Sequence, residues 1–372
     1  MSEKVPVHFD GSIFHRQPHG GISRVFLNLF RELACIDDLE LNLHLWTDHQ
    51  PADLPAEIKV HRIEVAPPST TDRVLSRFGI RKIQSDGNRY FGKLSDGIFH
   101  STYYSTFETP GLAQVFTLHD LIFEDFPECF PDDQHRAKHI GEKTDCNATA
   151  DVIVSVSLAT QQRLIHHHSD TVVEKELDIV HLGVDPAIDC TGSDSPWDKA
   201  YVLHVGSRHP HKNFDRLIEA MSHPQLLDLG LVSFGGGEWS TSEARLISQH
   251  CDGRVKCIAR GSDSELAAAY KHANAVVVPS ISEGFGLPLL EAMQHNVRIA
   301  SSRGGSLPEV GGDFPVYFDH DNVTEMAIAV AEASKRETCD FQQQAADHLA
   351  NFSWKNTARK YADLYRIHRR CS

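Results

Sequence analysis

The second half of the chain alternates short apolar runs with amphipathic segments. Runs rich in β-branched residues, such as YVLHVG from Tyr201 and AVVVPS from Ala275, each precede a stretch whose apolar positions have helical spacing. Strands that are almost continuously apolar are typical of a parallel sheet buried on both faces. The pattern therefore predicts a doubly wound α/β domain.

The first half repeats this alternation less regularly and predicts a second α/β domain. Its candidate elements include VPVHFD, the helical stretch GISRVFLNLFRELA, AQVFTLHD and DVIVSVS. Residues 186–199 are rich in Pro, Gly, Ser and Asp without periodicity, which is typical of a linker. We therefore predict a first domain over residues 1–188 and a second over residues 200–352, with hinges near the linker and before the last segment.

The last segment, residues 353–372, has the spacing of an amphipathic helix that needs a groove to pack in. We expect this helix to cross back to the first domain. Its apolar positions are Trp354, Ala358, Tyr361, Leu364 and Tyr365.

Charge and composition exclude several classes of function. The 372 residues carry 36 Lys and Arg against 51 Asp and Glu, a formal net charge of −15. This charge repels phosphate polymers, so we expect no nucleic-acid partner. The chain has no apolar run long enough to span a bilayer and begins without the apolar core of a secretory signal, which predicts a cytoplasmic protein. Its cysteines have no zinc-ligand spacing, which favours reduced, structural thiols.

The sharpest candidate site lies in residues 275–293. A buried strand ends there, a loop with Gly284 and Gly286 follows, and a helix begins, a geometry that presents free N–H groups to an anion. Glu283 in the loop and Glu291 one turn into the helix can face the same crevice, and carboxylates accept paired hydrogen bonds from vicinal hydroxyls. Alternatively, Glu291 is only a favourable first-turn charge and Glu283 a surface residue.

A second candidate lies in residues 201–221, where an apolar strand enters a turn with Arg208 and Lys212. Asn213 is a candidate N-cap for the helix that follows. Two cations where a strand ends can neutralise a diphosphate, Arg through a forked contact and Lys as a point charge. Exposed loop cations are the alternative.

The first half offers two weaker candidates. Gly20 and Gly21 directly precede an amphipathic helix, where the backbone can approach a phosphate closely. His119 and Asp120 follow an apolar strand, at the edge where ligands bind in open parallel sheets. Turns also need paired glycines, and a single histidine is often structural.

Together these segments resemble the retaining glycosyltransferases of family 4, which have the two-domain GT-B fold. The resemblance covers nearly the whole chain and rests on GGISRVFLNL, TLHD, HVGSRHPHKN, SEGFGLPLLEAM, GGSLPEVGGD and FSWKNTARKYADLYR. The fourth of these segments contains the family's two glutamates separated by seven residues. The turn GSRHPHKN is similar to that of a subgroup with many bacterial mannosyltransferases of surface-polysaccharide synthesis.

The resemblance implies a role for each matching position. In the family, cations bind the donor diphosphate, two glutamates hold the ribose and the transferred sugar, a glycine loop approaches the diphosphate from the other domain, and a histidine lies near the reaction centre. The implied catalytic residues are His119, Arg208, Lys212 and Glu283. The implied donor-binding residues are Gly20, Gly21, Gly284, Phe285, Gly286, Leu287 and Glu291, with Glu309 as a weaker candidate.

The resemblance also implies the reaction. A sugar, with mannose from GDP-mannose as the best match, moves from a nucleotide sugar to a hydroxyl of a bacterial surface glycan that is lipid-linked, with retention at the anomeric carbon. Protein cations replace a metal, so no cofactor is expected. Front-face attack and a covalent intermediate both remain open. The alternatives are a nucleotide-sugar 2-epimerase of the same fold and a non-catalytic glycan-binding subunit.

One basic segment stands out against the acidic chain. Residues 72–93 carry six Lys or Arg against two Asp, and Arg73, Arg77 and Arg81 recur at helical spacing. A basic amphipathic helix can lie on an anionic membrane surface or contact the pyrophosphate of an acceptor. A solvated face over apolar core residues is the alternative.

Overall fold

The structure is a computed structural model that describes residues 4–18, 20–46, 50–63, 87–186, 188, 194–251, 253–335 and 341–370. Most of the basic segment, residues 72–86, lies outside these ranges, so its function stays a prediction. Among the described residues, no helix has both the length and the apolar character needed to cross a bilayer.

The first domain is built on a seven-stranded sheet in the order β3-β2-β1-β4-β5-β6-β7. Every pairing is parallel. The strands are β1 (Val5–Phe9), β2 (Leu39–Leu45), β3 (Lys59–Arg62), β4 (Ile98–Ser101), β5 (Ala113–Leu118), β6 (Val152–Ser155) and β7 (Glu176–Ile179).

The second domain is built on a six-stranded parallel sheet in the order β10-β9-β8-β11-β12-β13. The predicted pair of doubly wound domains is confirmed. The strands are β8 (Tyr201–Val205), β9 (Gly230–Phe234), β10 (Val255–Ile258), β11 (Ala275–Val278), β12 (Ile299–Ser302) and β13 (Val316–Phe318).

Helices cover both sheets because the strands bury side chains on both faces. In the first domain they are α1 (Ser12–Arg16), α2 (Gly21–Leu33), α3 (Ile122–Asp125), α4 (Asp133–Thr149) and α5 (Leu158–Val172). In the second they are α6 (Phe214–Ala220), α7 (Thr241–His250), α8 (Asp263–His272), α9 (Leu287–Gln294), α10 (Leu307–Gly311), α11 (Val323–Lys335) and α12 (Phe341–Leu349). The last helix is α13 (Trp354–His368).

The last helix packs in the core of the first domain. Tyr361 and Tyr365 are fully buried, and the Tyr365 hydroxyl lies 2.6 Å from Nδ1 of His100 on β4. The Tyr361 hydroxyl lies 2.8 Å from Oγ1 of Thr117 on β5. The chain therefore passes between the domains twice.

The two passages run side by side. Val184 N–H donates to the Phe352 carbonyl at 3.0 Å, and Val184 forms a parallel bridge with Ser353. Gly183 lies against Trp354 so closely that a Cβ atom would overlap the Trp354 backbone. The two crossings between the domains therefore lie at 183–185 and 352–354, just before the predicted linker.

Each sheet has a switch point where the chain reverses its winding. In the first sheet β1 lies between β2 and β4, and in the second sheet β8 lies between β9 and β11. Loops diverge from such a point and leave a crevice beyond the carboxyl ends of the strands. The candidate site residues can therefore be located relative to the ends of these strands.

Candidate active site between the domains

The glycine loop of the second domain connects β11 to α9. Gly286 has a φ of 101°, which favours glycine, and a Cβ there would lie 2.8 Å from a methyl group of Leu307. Pro288 in the first turn of α9 fits because its missing N–H would have no helical partner. The loop, with buried Phe285 and partly buried Leu287 on either side of Gly286, therefore has the predicted form.

Lys212 and Glu283 form the central pair of the site. The Lys212 ammonium lies 2.6 and 2.8 Å from the two carboxylate oxygens of Glu283, and Ser280 Oγ donates to the same carboxylate at 2.6 Å. Lys212 follows β8 and Glu283 follows β11, which are neighbouring strands. The parallel sheet thus brings together two residues that lie 71 positions apart.

Arg208 is enclosed by its own domain. Its side chain is 3% exposed, and its guanidinium donates to Glu243 Oε1 at 2.6 Å and to the carbonyls of Gly235, Gly237 and Glu238 at 2.8 to 3.0 Å. The same group lies 4.5 Å from the centre of the Trp239 ring. In this conformation Arg208 shapes the 235–238 loop, and its predicted contact with a diphosphate requires the guanidinium to leave some of these partners.

Glu291 occupies a small crevice between the domains. The Tyr270 hydroxyl donates to Glu291 Oε2 at 2.5 Å, and burial raises the pKa of Glu291. Arg24 on α2 of the first domain enters the same crevice, where it pairs with Asp185 and lies 3.8 Å from Asp263. The crevice has a volume of about 30 Å³, so it is nearly filled by these side chains.

His119 lies where the first domain contacts the glycine loop. A Cβ at Gly284 would overlap the His119 carbonyl, so the close contact requires glycine. The imidazole is largely buried, burial lowers its pKa to about 4, and its Nε2 has no hydrogen-bond partner among the described residues. His119 is therefore neutral at the domain interface.

The paired glycines lie at the start of α2. Gly20 is the N-cap and Gly21 the first residue of the helix, and a Cβ at Gly21 would meet no atom within 4 Å. The space at Gly21 admits a ligand close to the backbone. Arg24, one turn further along the same helix, lies 3.8 Å from Asp263 of the second domain.

Two polar clusters of the first domain were missed by the sequence analysis. Asp10 follows β1 and is fully buried, where it accepts hydrogen bonds from Thr102, Ser12 and Ser105. A carboxylate directly after an apolar strand is a signal that could have identified it.

The second cluster is centred on a fully buried lysine, Lys143. Its ammonium lies 2.6 Å from Glu124 Oε2 and 3.3 Å from the Asp120 carbonyl. Burial raises the pKa of Glu124. Helix α4, which carries Lys143, is largely polar, so the sequence has no periodic signal for this site.

Two cavities open around the central pair. One of about 380 Å³ is lined by Asp120 and Arg163 of the first domain and by Glu283 and Gly284 of the second. The other, of about 910 Å³, extends past Arg208. The first cavity gives space for a polar ligand beside Glu283, and the second gives space beside Arg208.

Among the described residues, one group of side chains has ligand atoms close enough together to hold a metal ion. It consists of Asp319, His320 and Asp321 after β13, and both carboxylates are exposed. Exposed acidic groups are common without a metal.

Comparison with known proteins finds a family match in the second domain. Residues 192–348 match the family described as glycosyl transferases group 1. The chain superposes on sucrose-phosphate synthase from Thermosynechococcus elongatus with a TM-score of 0.73 and 18% identity, covering 98% of this chain and 99% of that one. Similarity at this level of identity shows a shared fold.

Two curated relatives are similar in sequence. One is the D-inositol 3-phosphate glycosyltransferase of Mycolicibacterium smegmatis, 28% identical over 59% of this chain and 53% of that protein. The other is the O-antigen chain mannosyltransferase B of Escherichia coli, 28% identical over 68% of this chain and 70% of that protein. The chain thus spans about half the length of the mycobacterial relative.

The fold and the glycine-loop domain define a two-domain protein of the GT-B type. Residues 192–348 of its second domain match the glycosyl transferases group 1 model, and similar proteins include an O-antigen mannosyltransferase and inositol phosphate glycosyltransferases.

Proposed function

We propose that the protein is a retaining hexosyltransferase that moves a sugar from a nucleotide sugar to a hydroxyl of a glycan acceptor. The observation that carries this proposal is the Lys212 to Glu283 pair, held at the switch point of the second sheet and facing the His119 to Asp120 edge of the first domain. A cation and a carboxylate side by side suit a substrate that has a diphosphate joined to a polyhydroxylated ring.

Lys212 stabilises the leaving group in this proposal. An ammonium donates three hydrogen bonds, and two of its contacts go to Glu283, which leaves one N–H for a phosphate oxygen. Negative charge grows on the departing phosphate in the transition state, so a preorganised cation acts where the charge develops. Removal of one such donor costs about 2.7 to 4 kcal/mol of the barrier in comparable oxyanion sites.

Glu283 and Glu291 hold hydroxyl groups. Glu283 keeps lone pairs free of Lys212 and Ser280 that can accept from the transferred sugar, and its charge is neutralised by the adjacent ammonium. Glu291 accepts from the ribose, with its carboxylate oriented by Tyr270. The N–H groups around Gly20 and Gly21 approach the diphosphate from the first domain.

The donor we propose is GDP-mannose and the acceptor a lipid-linked bacterial surface glycan. The support is similarity to the O-antigen chain mannosyltransferase B, which aligns with 68% of this chain. We propose that Lys212 and Arg208 supply the positive charge that a metal would otherwise provide, so that transfer proceeds without one.

Calorimetric titration with GDP, UDP, ADP, CMP and dTDP, each first with EDTA and then with magnesium, tests the donor site. We expect one diphosphate to bind without metal and the Glu291→Ala variant to lose that binding. The matched control is Glu325→Gln on α11, a first-turn glutamate whose backbone N–H donates to the Asn322 side chain of the same domain. If no nucleotide binds the parent protein, the donor site is wrong and a glycan-binding subunit becomes the better interpretation.

Product analysis then separates transfer from epimerisation. The nucleotide sugar is incubated with and without a glycan acceptor, and products are resolved by chromatography and NMR. We expect a new α or β linkage that matches the anomeric configuration of the donor, formed only with acceptor. A 2-epimer of the donor formed without acceptor would instead identify the epimerase.

A further inference from the structure

A carboxylate of the second domain caps a helix of the first. Glu309 on α10 accepts from the backbone N–H groups of Leu158 and Ala159, at 2.8 and 3.1 Å, in the first turn of α5. His181 Nε2 lies 2.7 Å from the same carboxylate. The first N–H groups of a helix have no partner within the helix, so α5 depends on the other domain for two of them.

The cap residue of α5 is also engaged across the interface. Ser157 Oγ accepts from the Thr160 N–H at 3.0 Å and donates to the Gly284 carbonyl at 2.8 Å. Thr160 Oγ1 lies 3.2 Å from the same carbonyl. The first turn of α5 therefore contacts both Glu309 and the glycine loop.

Helix α10 is tied to the glycine loop from its own side. Ser306, just before α10, donates from its backbone N–H at 3.1 Å and from its hydroxyl at 3.0 Å to the Glu283 carbonyl. The hydroxyl also lies 2.8 Å from the Phe285 carbonyl. Gly305 has a φ of 60°, and a Cβ there would overlap the Glu283 carbonyl. The backbone that presents Glu283 is thus fixed by the segment that carries Glu309.

We propose that Glu309 is a positioning residue that latches the two domains together and, through Ser306, sets the glycine loop in its donor-binding form. The inference rests on the proposed transferase function, because it assigns the loop to the donor. A carboxylate at a helix N-terminus is favoured by the positive end of the helix dipole, so the contact stabilises the closed arrangement. The family resemblance made Glu309 a weaker candidate for donor binding, whereas its carboxylate lies on the first turn of α5.

The latch predicts a coupling between domain closure and turnover. In Glu309→Ala the N–H groups of Leu158 and Ala159 lose their acceptor, so the open form gains population. We expect a larger radius of gyration by small-angle scattering without nucleotide, and a tenfold or greater loss of kcat/KM for the donor. The loss is expected mainly in KM, because donor binding must then close the domains.

Three variants keep the test decisive. Glu309→Gln retains one carbonyl acceptor and is expected to lie between parent and Glu309→Ala in both readouts. Ser157→Ala removes the hydrogen bond from α5 to the Gly284 carbonyl and should also increase the radius of gyration. Glu325→Gln, a first-turn glutamate of α11 capped within the second domain, should match the parent.

The outcomes separate the latch from the transferase. If Glu309→Ala has the parent's radius of gyration and the parent's KM and kcat, the latch is wrong. If the parent transfers no sugar but Glu309→Ala still increases the radius of gyration, the contact between the domains is supported. The proposed donor-binding function of the glycine loop is then wrong. If Glu309→Ala is insoluble, the scattering and kinetics of Glu309→Gln and Ser157→Ala decide in its place.

Discussion

Asp185 accepts a hydrogen bond from the Trp354 indole N–H at 2.8 Å, which joins the two points where the chain passes between the domains. The same carboxylate pairs with Arg24 and accepts from Asn28, both on α2. Asp185 thus ties the two crossings to α2 beside the proposed ribose crevice.

Asp185→Ala should therefore destabilise the protein. Three donors lose a charged acceptor, and hydrogen bonds to charged groups contribute about 1.5 to 3 kcal/mol each, partly offset here by solvent access. We expect a thermal unfolding midpoint several degrees lower by scanning fluorimetry. Asp198→Ala, at an exposed position, serves as the control. Equal thermal unfolding midpoints for both variants would show that Asp185 does not stabilise the fold.

Lys212→Ala should lower turnover at least about a hundredfold while the fold is kept, because the variant removes the cation beside the leaving phosphate. Initial rates at saturating donor, with circular dichroism for the fold, measure this. Lys355→Ala, an exposed lysine on α13, should match the parent. Near-normal turnover in Lys212→Ala would refute its assignment to the leaving group.

The parent protein should form no covalent glycosyl-enzyme. Glu283 is bound by Lys212 and Ser280, which lowers its strength as a nucleophile, so we expect front-face attack in which the leaving phosphate accepts the acceptor proton. Intact mass spectrometry after mixing with donor tests this. A hexose adduct on the parent that is missing in Glu283→Gln would establish the covalent route instead.

Tyr270→Phe should weaken nucleoside diphosphate binding about tenfold, because Glu291 loses the hydroxyl that orients its carboxylate at 2.5 Å. Calorimetry with the diphosphate that binds the parent measures the change. Tyr90→Phe, which removes a hydroxyl beside His44 in the first domain, is the control. An unchanged dissociation constant in Tyr270→Phe would show that Glu291 needs no such orientation.

The protein should lose stability as the pH falls below about 6.5. Burial lowers the pKa of several histidines in the folded state, so the unfolded chain takes up protons that the folded chain does not. Each such histidine contributes stability that is complete above its unfolded pKa and lost at about 1.4 kcal/mol per pH unit below it. The pKa is about 4 for His8, His119 and His211, about 3 for His100 and His204, and about 2 for His44.

Urea unfolding at pH 7.5 and at pH 5.0 measures this effect. The urea concentration at the unfolding midpoint should be lower at pH 5.0 than at pH 7.5. In His204→Leu this difference should be smaller, because the variant removes one of the buried histidines. His166→Gln, at an exposed position on α5, should leave the fall unchanged. Equal midpoints at both pH values in the parent would contradict the burial argument.

The sequence by itself determined the doubly wound sheets and the local form of the glycine loop. Apolar runs around Tyr201 and Ala275 define buried parallel strands, and Gly286 with Pro288 defines the turn into α9, because these features depend on neighbours along the chain. Such local signals are readable without tertiary contacts.

Only the tertiary structure decided which side chains meet. The pairing of Lys212 with Glu283 depends on β8 lying beside β11, and the capping of α5 by Glu309 depends on domain closure. Helix α4 is largely polar, and its burial of Lys143 against Glu124 is a contact that no periodicity reveals. Arg208 has the residue type of a phosphate ligand, but its surroundings enclose it in its own domain. Contacts between distant segments follow from packing, and packing is a property of the whole fold.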